Sequence, residues 1–229
     1  MELVIRNVLV CPTCKAKLVD SDGGFVCKAC GNVYGVQDGI LEIDTVSSEQ
    51  LLDRRSWYLW SDLSHFERML RSIVRPGHLV VEVCSGPNIV LPYLLHGIQA
   101  GCRYISVGRD VSHLKMQRRG AHLEFISVKG DSTALMLDNG CADMVVFHHA
   151  INDIWLSRGM EGVYQSLDEA ARVVRSGGVM IFSHCEMDWD PSTKEMSLDH
   201  VKRHLEQQNA YSFEASRGAM QDWLLVRCA

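Results

Sequence analysis

A chain of 229 residues has room for one ordinary domain and a small module, because single hydrophobic cores stop growing near ~250–300 residues. With 47% apolar and 22% charged residues it has the usage of a folded globular chain, and no run approaches the ~18 apolar residues of a membrane helix, so global disorder and a helical membrane protein are excluded and a cytoplasmic location is expected. The balance of 23 Lys+Arg against 28 Asp+Glu, net −5, creates no field that would gather a polyanion, so an RNA partner requires a local basic patch.

In chain order, residues 1–44 come first, with short apolar runs such as Phe25-Val26 and Ile40-Leu41 punctuated by Gly23-Gly24, Gly31-Asn32 and Asp38-Gly39. These predict a few short strands with too little apolar content to fold unaided. Residues 45–56 turn polar and read as a linker. The spacing of Trp57, Trp60, Phe66, Met69, Leu70 and Ile73 then predicts an amphipathic helix over 57–74, ended by Pro76-Gly77. From Leu79 onward strands and helices alternate: strand 79–83, helix 89–99, strand 104–108, helix 112–120, strand 123–128, strand 143–148, helix 160–174 and strand 179–184. Such alternation implies right-handed crossovers and a doubly wound parallel sheet, an α/β fold. A helix over 193–208 and a hairpin of 211–215 with 223–227 close the chain, and the second domain is expected to span 57–229.

Four of the nine cysteines lie within residues 11–30, as Cys11-x2-Cys14 and Cys27-x2-Cys30. Two such knuckles can bring four thiolates onto one tetrahedral zinc at about 2.3 Å each, a closed site that folds the module and does no chemistry. A disulfide or an iron–sulfur centre is the alternative that the same thiols allow. Loss of one cysteine is expected to release the metal and unfold the ribbon while leaving the parallel sheet intact. Cys102, Cys141, Cys185 and Cys228 read as packed interior groups.

The wording LVCPTCKAKL and FVCKACGNVYGVQDGILEI resembles the small zinc-ribbon activator family that partners and stabilises tRNA, ribosomal RNA and release-factor methyltransferases. The resemblance implies a helper module fused to what it helps, the layout of bacterial ribosomal-RNA guanine methyltransferases with a leading ribbon. With four basic against six acidic residues in positions 1–44, direct RNA capture by the ribbon is not expected.

In a doubly wound sheet ligands bind beyond the carboxyl ends of the strands, where the strand order reverses. Those ends read Glu82-Val83-Cys84-Ser85-Gly86-Pro87-Asn88, Gly108-Arg109-Asp110, Gly130-Asp131-Ser132 and Phe147-His148-His149. The series, with Arg172-Val-Val-Arg-Ser-Gly-Gly178 before the last parallel strand, resembles the class I S-adenosylmethionine-dependent methyltransferase family over about residues 57–229. It implies a Rossmann-like seven-stranded sheet. By that resemblance Glu82, Cys84, Ser85, Gly86 and Asn88 meet the methionine part of S-adenosylmethionine, Asp110 its ribose, Asp131 and Ser132 its adenine, and His148 flanks the sulfonium. The usual G-x-G-x-G turn is reduced to one glycine, with Cys84 and Asn88 in place of the others.

On the acceptor side His149 or Asp153 can take a proton and Asn152 can orient the substrate, although His148 can equally close the sheet and Asp153 cap a turn. The N-P-P-Y signature is absent. Trp57, Tyr58 and Trp60 offer a lid or plain packing, and Arg54, Arg55, Arg68, Arg71, Arg75, Lys115, Arg118 and Arg119 a phosphate face or a solvated one. The function expected is methyl transfer to RNA or a translation-related protein. The alternative is a catalytically silent methyltransferase-like scaffold with a zinc-ribbon binding module.

Overall fold

The computed structural model describes residues 6–43, 63–86, 90–98, 101–119, 124–184, 196–208, 211–217 and 221–229. The predicted linker, the three aromatics Trp57, Tyr58 and Trp60, Arg54, Arg55, Asn88 and Cys185 lie outside them. So do the side chains of Arg118 and Arg119.

Four short strands open the chain, β1 (Leu18–Ser21), β2 (Gly24–Cys27), β3 (Val33–Gln37) and β4 (Ile40–Glu42). The alternation then gives α1 (Leu63–Ile73), β5 (Leu79–Val83), α2 (Val90–Gly97), β6 (Arg103–Gly108), α3 (Val111–Arg119), β7 (Glu124–Lys129), β8 (Ala142–His148), α4 (Ala150–Val173) and β9 (Val174–His184). Helix α5 (Leu198–Glu206) and the hairpin β10 (Tyr211–Arg217) with β11 (Asp222–Cys228) follow.

All eleven strands form one sheet in the order β1-β2-β3-β4-β7-β6-β5-β8-β9-β11-β10. The expected count of seven is therefore corrected. Strands β5–β11 are the seven predicted, and the ribbon contributes the other four. The physical reason lies at β7, whose outer edge would otherwise present unpaired backbone groups. Strand β4 pairs parallel to it, with Ile40 opposite Ser127, Leu41 opposite Val128 and Glu42 opposite Lys129.

The order reverses between β5 and β8, which sets the crevice at the carboxyl ends of those strands. Strand β5, with sequence LVVEV, is buried at every position, as a central parallel strand covered on both faces must be. Its two faces feed separate cores. Val81 and Val83 pack with Val107, Val145 and Phe147, whereas Val80 packs with Leu91, Leu95 and Phe66 under α1 and α2. The first core also contains Leu9, Leu18, Phe25, Tyr34 and Leu41, so ribbon and domain bury one continuous apolar interior.

Helix α4 starts ten residues earlier than its periodicity suggested, because it is two segments joined at Gly159, which has φ 65 and ψ −171. That conformation is open essentially to glycine alone and turns the apolar face between the two halves. Among the described residues no helix is long and apolar enough to cross a membrane.

Candidate functional site

The two knuckles converge. Cys11, Cys14, Cys27 and Cys30 have all four sulfurs within 4.8 Å of one another, with Cys11 3.6 Å from Cys30 and Cys14 3.4 Å from Cys27. A tetrahedron of bonds of about 2.3 Å separates sulfurs by about 3.8 Å, so the donor set fits zinc closely. Burial raises the Cys11 thiol, but hydrogen bonds from the Tyr34 hydroxyl, at 3.1 Å, and from backbone amides outweigh it and hold the group at about 6. Backbone amides lower Cys27 as well, whereas neighbouring thiols raise Cys14 and Cys30 despite their own backbone bonds, so the fold favours the thiolate at one sulfur of each knuckle.

Two of the ribbon's four basic side chains are spent on the domain, while Arg6 pairs with Asp20 within the ribbon. Lys15 donates to Glu169 at 3.0 Å and to the Leu135 carbonyl, and Lys17 to Asp138 at 2.6 Å. Lys115 of α3 answers Asp38 of the ribbon at 2.7 Å. Backbone bonds from Val10 to the Met136 carbonyl and from Asp138 to the Val8 carbonyl complete the seam. At its far end the Ile43 amide donates to the Lys129 carbonyl, and Ile43 packs where a Cβ on Gly130 would be 3.3 Å away. The ribbon therefore ends against the residue preceding Asp131.

At the crevice, Cys84 takes a left-handed φ of 54, a strained conformation where the resemblance expects glycine. Burial pushes its thiol up to about 12, with the charges of Asp153 and Asp131 adding to the rise against a Ser132 hydrogen bond, so it is a neutral wall and not a nucleophile. Ser85 turns inward, its amide on the Val107 carbonyl and its hydroxyl on Ser106. Among the described residues nothing lies within 4 Å of where a Cβ on Gly86 would stand, which leaves room for a ligand. Gly108 opposite is needed for closure, since a Cβ there would lie 3.0 Å from the Ser85 carbonyl oxygen.

Glu82 points to the α2 side of the sheet, where the Tyr104 hydroxyl donates to it. Burial lifts its carboxyl to about 7 despite that bond. Asp110 caps α3 through one oxygen, which accepts from the Ser112 amide at 2.7 Å and the Ser112 hydroxyl at 2.6 Å. Burial would raise it, but these bonds hold it below the usual range. Asp131 accepts from the Thr133 amide and hydroxyl with one oxygen, and from Arg109 at 3.0 Å and Arg158 with the other. Ser132, beside it, accepts from Ser166 at 2.8 Å. Arg109 and Arg158 were missed from sequence. Arg109 stands next to a strand-end acid, which is a positional signal. Arg158 lies in the half of α4 that periodicity did not reveal, and Gly162 makes room for its stem, since a Cβ there would sit 2.3 Å from the Arg158 Cβ.

The β8–α4 corner brings His148, His149, Asn152 and Asp153 together. His148 lies 5.1 Å from the Phe66 ring, 5.8 Å from Trp223 and 4.8 Å from His149. Burial drops it to about 3 and also drives His149 well below the usual imidazole range, so both rings are neutral. His149 has φ 55, and its amide donates to the Ser183 hydroxyl at 3.1 Å. Asn152 is buried, while Asp153 is exposed on the first turn of α4. Of the predicted phosphate face, Arg71 pairs with Glu67 at 2.6 Å and Arg75 binds nearby carbonyls.

Comparison with known proteins agrees with this geometry. Residues 6–39 match the Trm112p-like protein family, and residues 81–182 match the methyltransferase domain family. An S-adenosylmethionine-dependent methyltransferase from Aquifex aeolicus is similar at 18% identity and TM-score 0.59, over 78% of this chain and 95% of that one. A candidate rRNA-methylase from Clostridium thermocellum is similar at 13% and 0.58, over 74% and 98%. A complex between the Haloferax volcanii Trm112 methyltransferase activator and a candidate methyltransferase is similar at 15% and 0.53, over 76% and 96%. At these identities the structures establish the fold.

Proposed function

Because this chain joins a Trm112p-like ribbon to an S-adenosylmethionine-dependent methyltransferase domain, we propose that it methylates RNA or a translation-related protein, with the ribbon serving in cis as the helper. The observation that carries the reading is the convergence of the ends of β5, β6 and β7. There Gly86 leaves the turn open, and Asp110 and Asp131 are ionised and oriented by their own backbone bonds. The residues fit the cofactor. Asp110 spends one carboxylate oxygen on its helix cap and has the other 3.9 Å from His113 Nε2 as the acceptor for the ribose hydroxyls, and Asp131, Ser132 and the Cys84–Gly86 turn line the remainder.

Bound S-adenosylmethionine supplies an electrophilic methyl group on a sulfonium. The chain orients the acceptor and, where the acceptor carries a proton, receives it. His149, neutral and with its pKa driven far down, is a weak base at neutral pH and serves to position. Asp153, an exposed carboxylate at the same corner, is the better proton acceptor.

The Haloferax complex brings activator and methyltransferase together, and here the two matching segments share one chain, one sheet and one core. This supports a ribbon that steadies β7 and, through it, Asp131. Residues 1–44, 45–56 and 57–229 then serve as ribbon, linker and catalytic domain. Calorimetry with S-adenosylhomocysteine tests the proposal. Micromolar binding supports it, whereas a Kd weaker than about 1 mM, or about −4 kcal/mol, favours the silent scaffold. Mass spectrometry of RNA and protein from a deletion strain identifies the acceptor, and elemental analysis finding one zinc per chain identifies the metal.

A further inference from the structure

Every acceptor position of Asp131 is taken. An ionised carboxylate offers about four, two on each oxygen. One oxygen accepts from the Thr133 amide and hydroxyl, both at 3.0 Å, and the other from Arg109 at 3.0 Å and from Arg158. Burial would raise the carboxyl, but these bonds and the charges of both arginines hold it below the usual range, so the group is ionised. The amino group of an adenine ring is a donor, and it finds a place on Asp131 only where one of the four partners gives way.

The four differ in how easily they can move. Thr133 lies two residues along the chain, in the short helical turn that Asp131 caps. Arg109 directly follows β6, whose Gly108 carbonyl accepts from the Gly130 amide beside Asp131, so its backbone is pinned. Arg158 arrives from α4, 27 positions away in the chain, and Asp131 is its only hydrogen-bond partner among the described residues. It is the more exposed of the two cations, at 35% against 27%. It also precedes Gly159, where no described residue comes within 4 Å of where a Cβ would stand. A single ion pair at such exposure is weak enough for a ligand to exchange.

We infer that Arg158 controls the adenine end of the cofactor site: it holds the Asp131 acceptor position that the purine amino group needs and yields it to that group. This rests on the methyltransferase reading above and adds a specificity-determining residue, which acts by positioning Asp131. A purine with a carbonyl in place of the amino group presents an acceptor there, and an acceptor cannot replace a guanidinium on a carboxylate.

Calorimetry on the full chain compares S-adenosylhomocysteine with S-inosylhomocysteine, its analogue with that carbonyl. Arg158→Met keeps the stem and removes the charge. It should tighten S-adenosylhomocysteine binding by about threefold to tenfold, the worth of a partly exposed ion pair, and leave S-inosylhomocysteine affinity unchanged. Arg158→Lys, which keeps a charge, should stay closer to wild type than to Arg158→Met. Raising KCl from about 0.05 M to about 0.5 M should narrow the gap between wild type and Arg158→Met, because salt screens the pair that the ligand must break. The inference is overturned, with the methyltransferase reading intact, if S-adenosylhomocysteine binds Arg158→Met no more tightly than wild type. It is overturned equally if S-inosylhomocysteine gains as much, if Arg158→Lys gains as much as Arg158→Met, or if salt leaves the gap unchanged. Binding by Arg158→Met alone supports it, and binding by neither protein removes both readings.

Discussion

Truncating Leu41 to alanine tests whether ribbon and domain are one cooperative unit. Leu41 is 0% exposed, sits opposite Val128 across the β4–β7 pair and belongs to the core that also holds Phe25, Tyr34, Val107 and Ile126. Leu→Ala at such a site costs about 2–5 kcal/mol, and the upper half of that range applies where neighbours on both sides cannot collapse into the gap. Set against a total stability of about 5–15 kcal/mol, a loss of about 4 kcal/mol should lower the urea midpoint by about 1 M or more. Unfolding is followed twice, by far-UV circular dichroism for the sheet and by a chromogenic chelator for released zinc. The two curves should coincide in wild type and shift together in the variant, and chelation alone should lower the sheet midpoint. Zinc released well before the sheet unfolds, with the sheet midpoint unmoved by Leu41→Ala, would refute the shared-core argument. It would also restore the simpler expectation of a ribbon that unfolds by itself.

Glu82→Gln should flatten the pH dependence of stability. The folded carboxyl is raised from 4.5 to about 7, so the native state holds more protons and loses stability as pH rises through that window, by about 3 kcal/mol at most by pH 8. Urea titrations at pH 5 and pH 8 should differ less in the variant, and an unchanged difference would count against the buried Glu82–Tyr104 pair as its source. Cys84→Gly should raise Tm by about 2–4 °C by relieving the left-handed φ, with cofactor affinity kept or improved; a lower Tm in a thermal scan would mean that the side chain matters more than the strain. Asp110→Ala should lose a helix cap worth about 1 kcal/mol and weaken S-adenosylhomocysteine binding about tenfold. Asp110→Ser should restore the cap without the affinity, and recovery of both in calorimetry would show that Asp110 only caps α3.

Much was legible in the chain because it is local. The CxxC spacing announced a four-sulfur cluster, and alternating strand and helix patterns announced the parallel sheet. The acids at Asp110 and Asp131 were found simply by asking what ends each strand. Residue periodicity, turn chemistry and metal spacing act over a few positions, so they survive without a fold. What the chain by itself left open depends on distant segments meeting. Leu41 and Val128 are 87 positions apart, and only their pairing makes eleven strands from seven and places the ribbon against Asp131. Arg158 reaches Asp131 because Gly159 breaks α4 and Gly162 lacks a side chain, a geometry that no 3.6-residue period encodes. Gln221, between the two hairpin strands, had no motif to mark it, and only the tertiary structure brings that amide to the His149 ring.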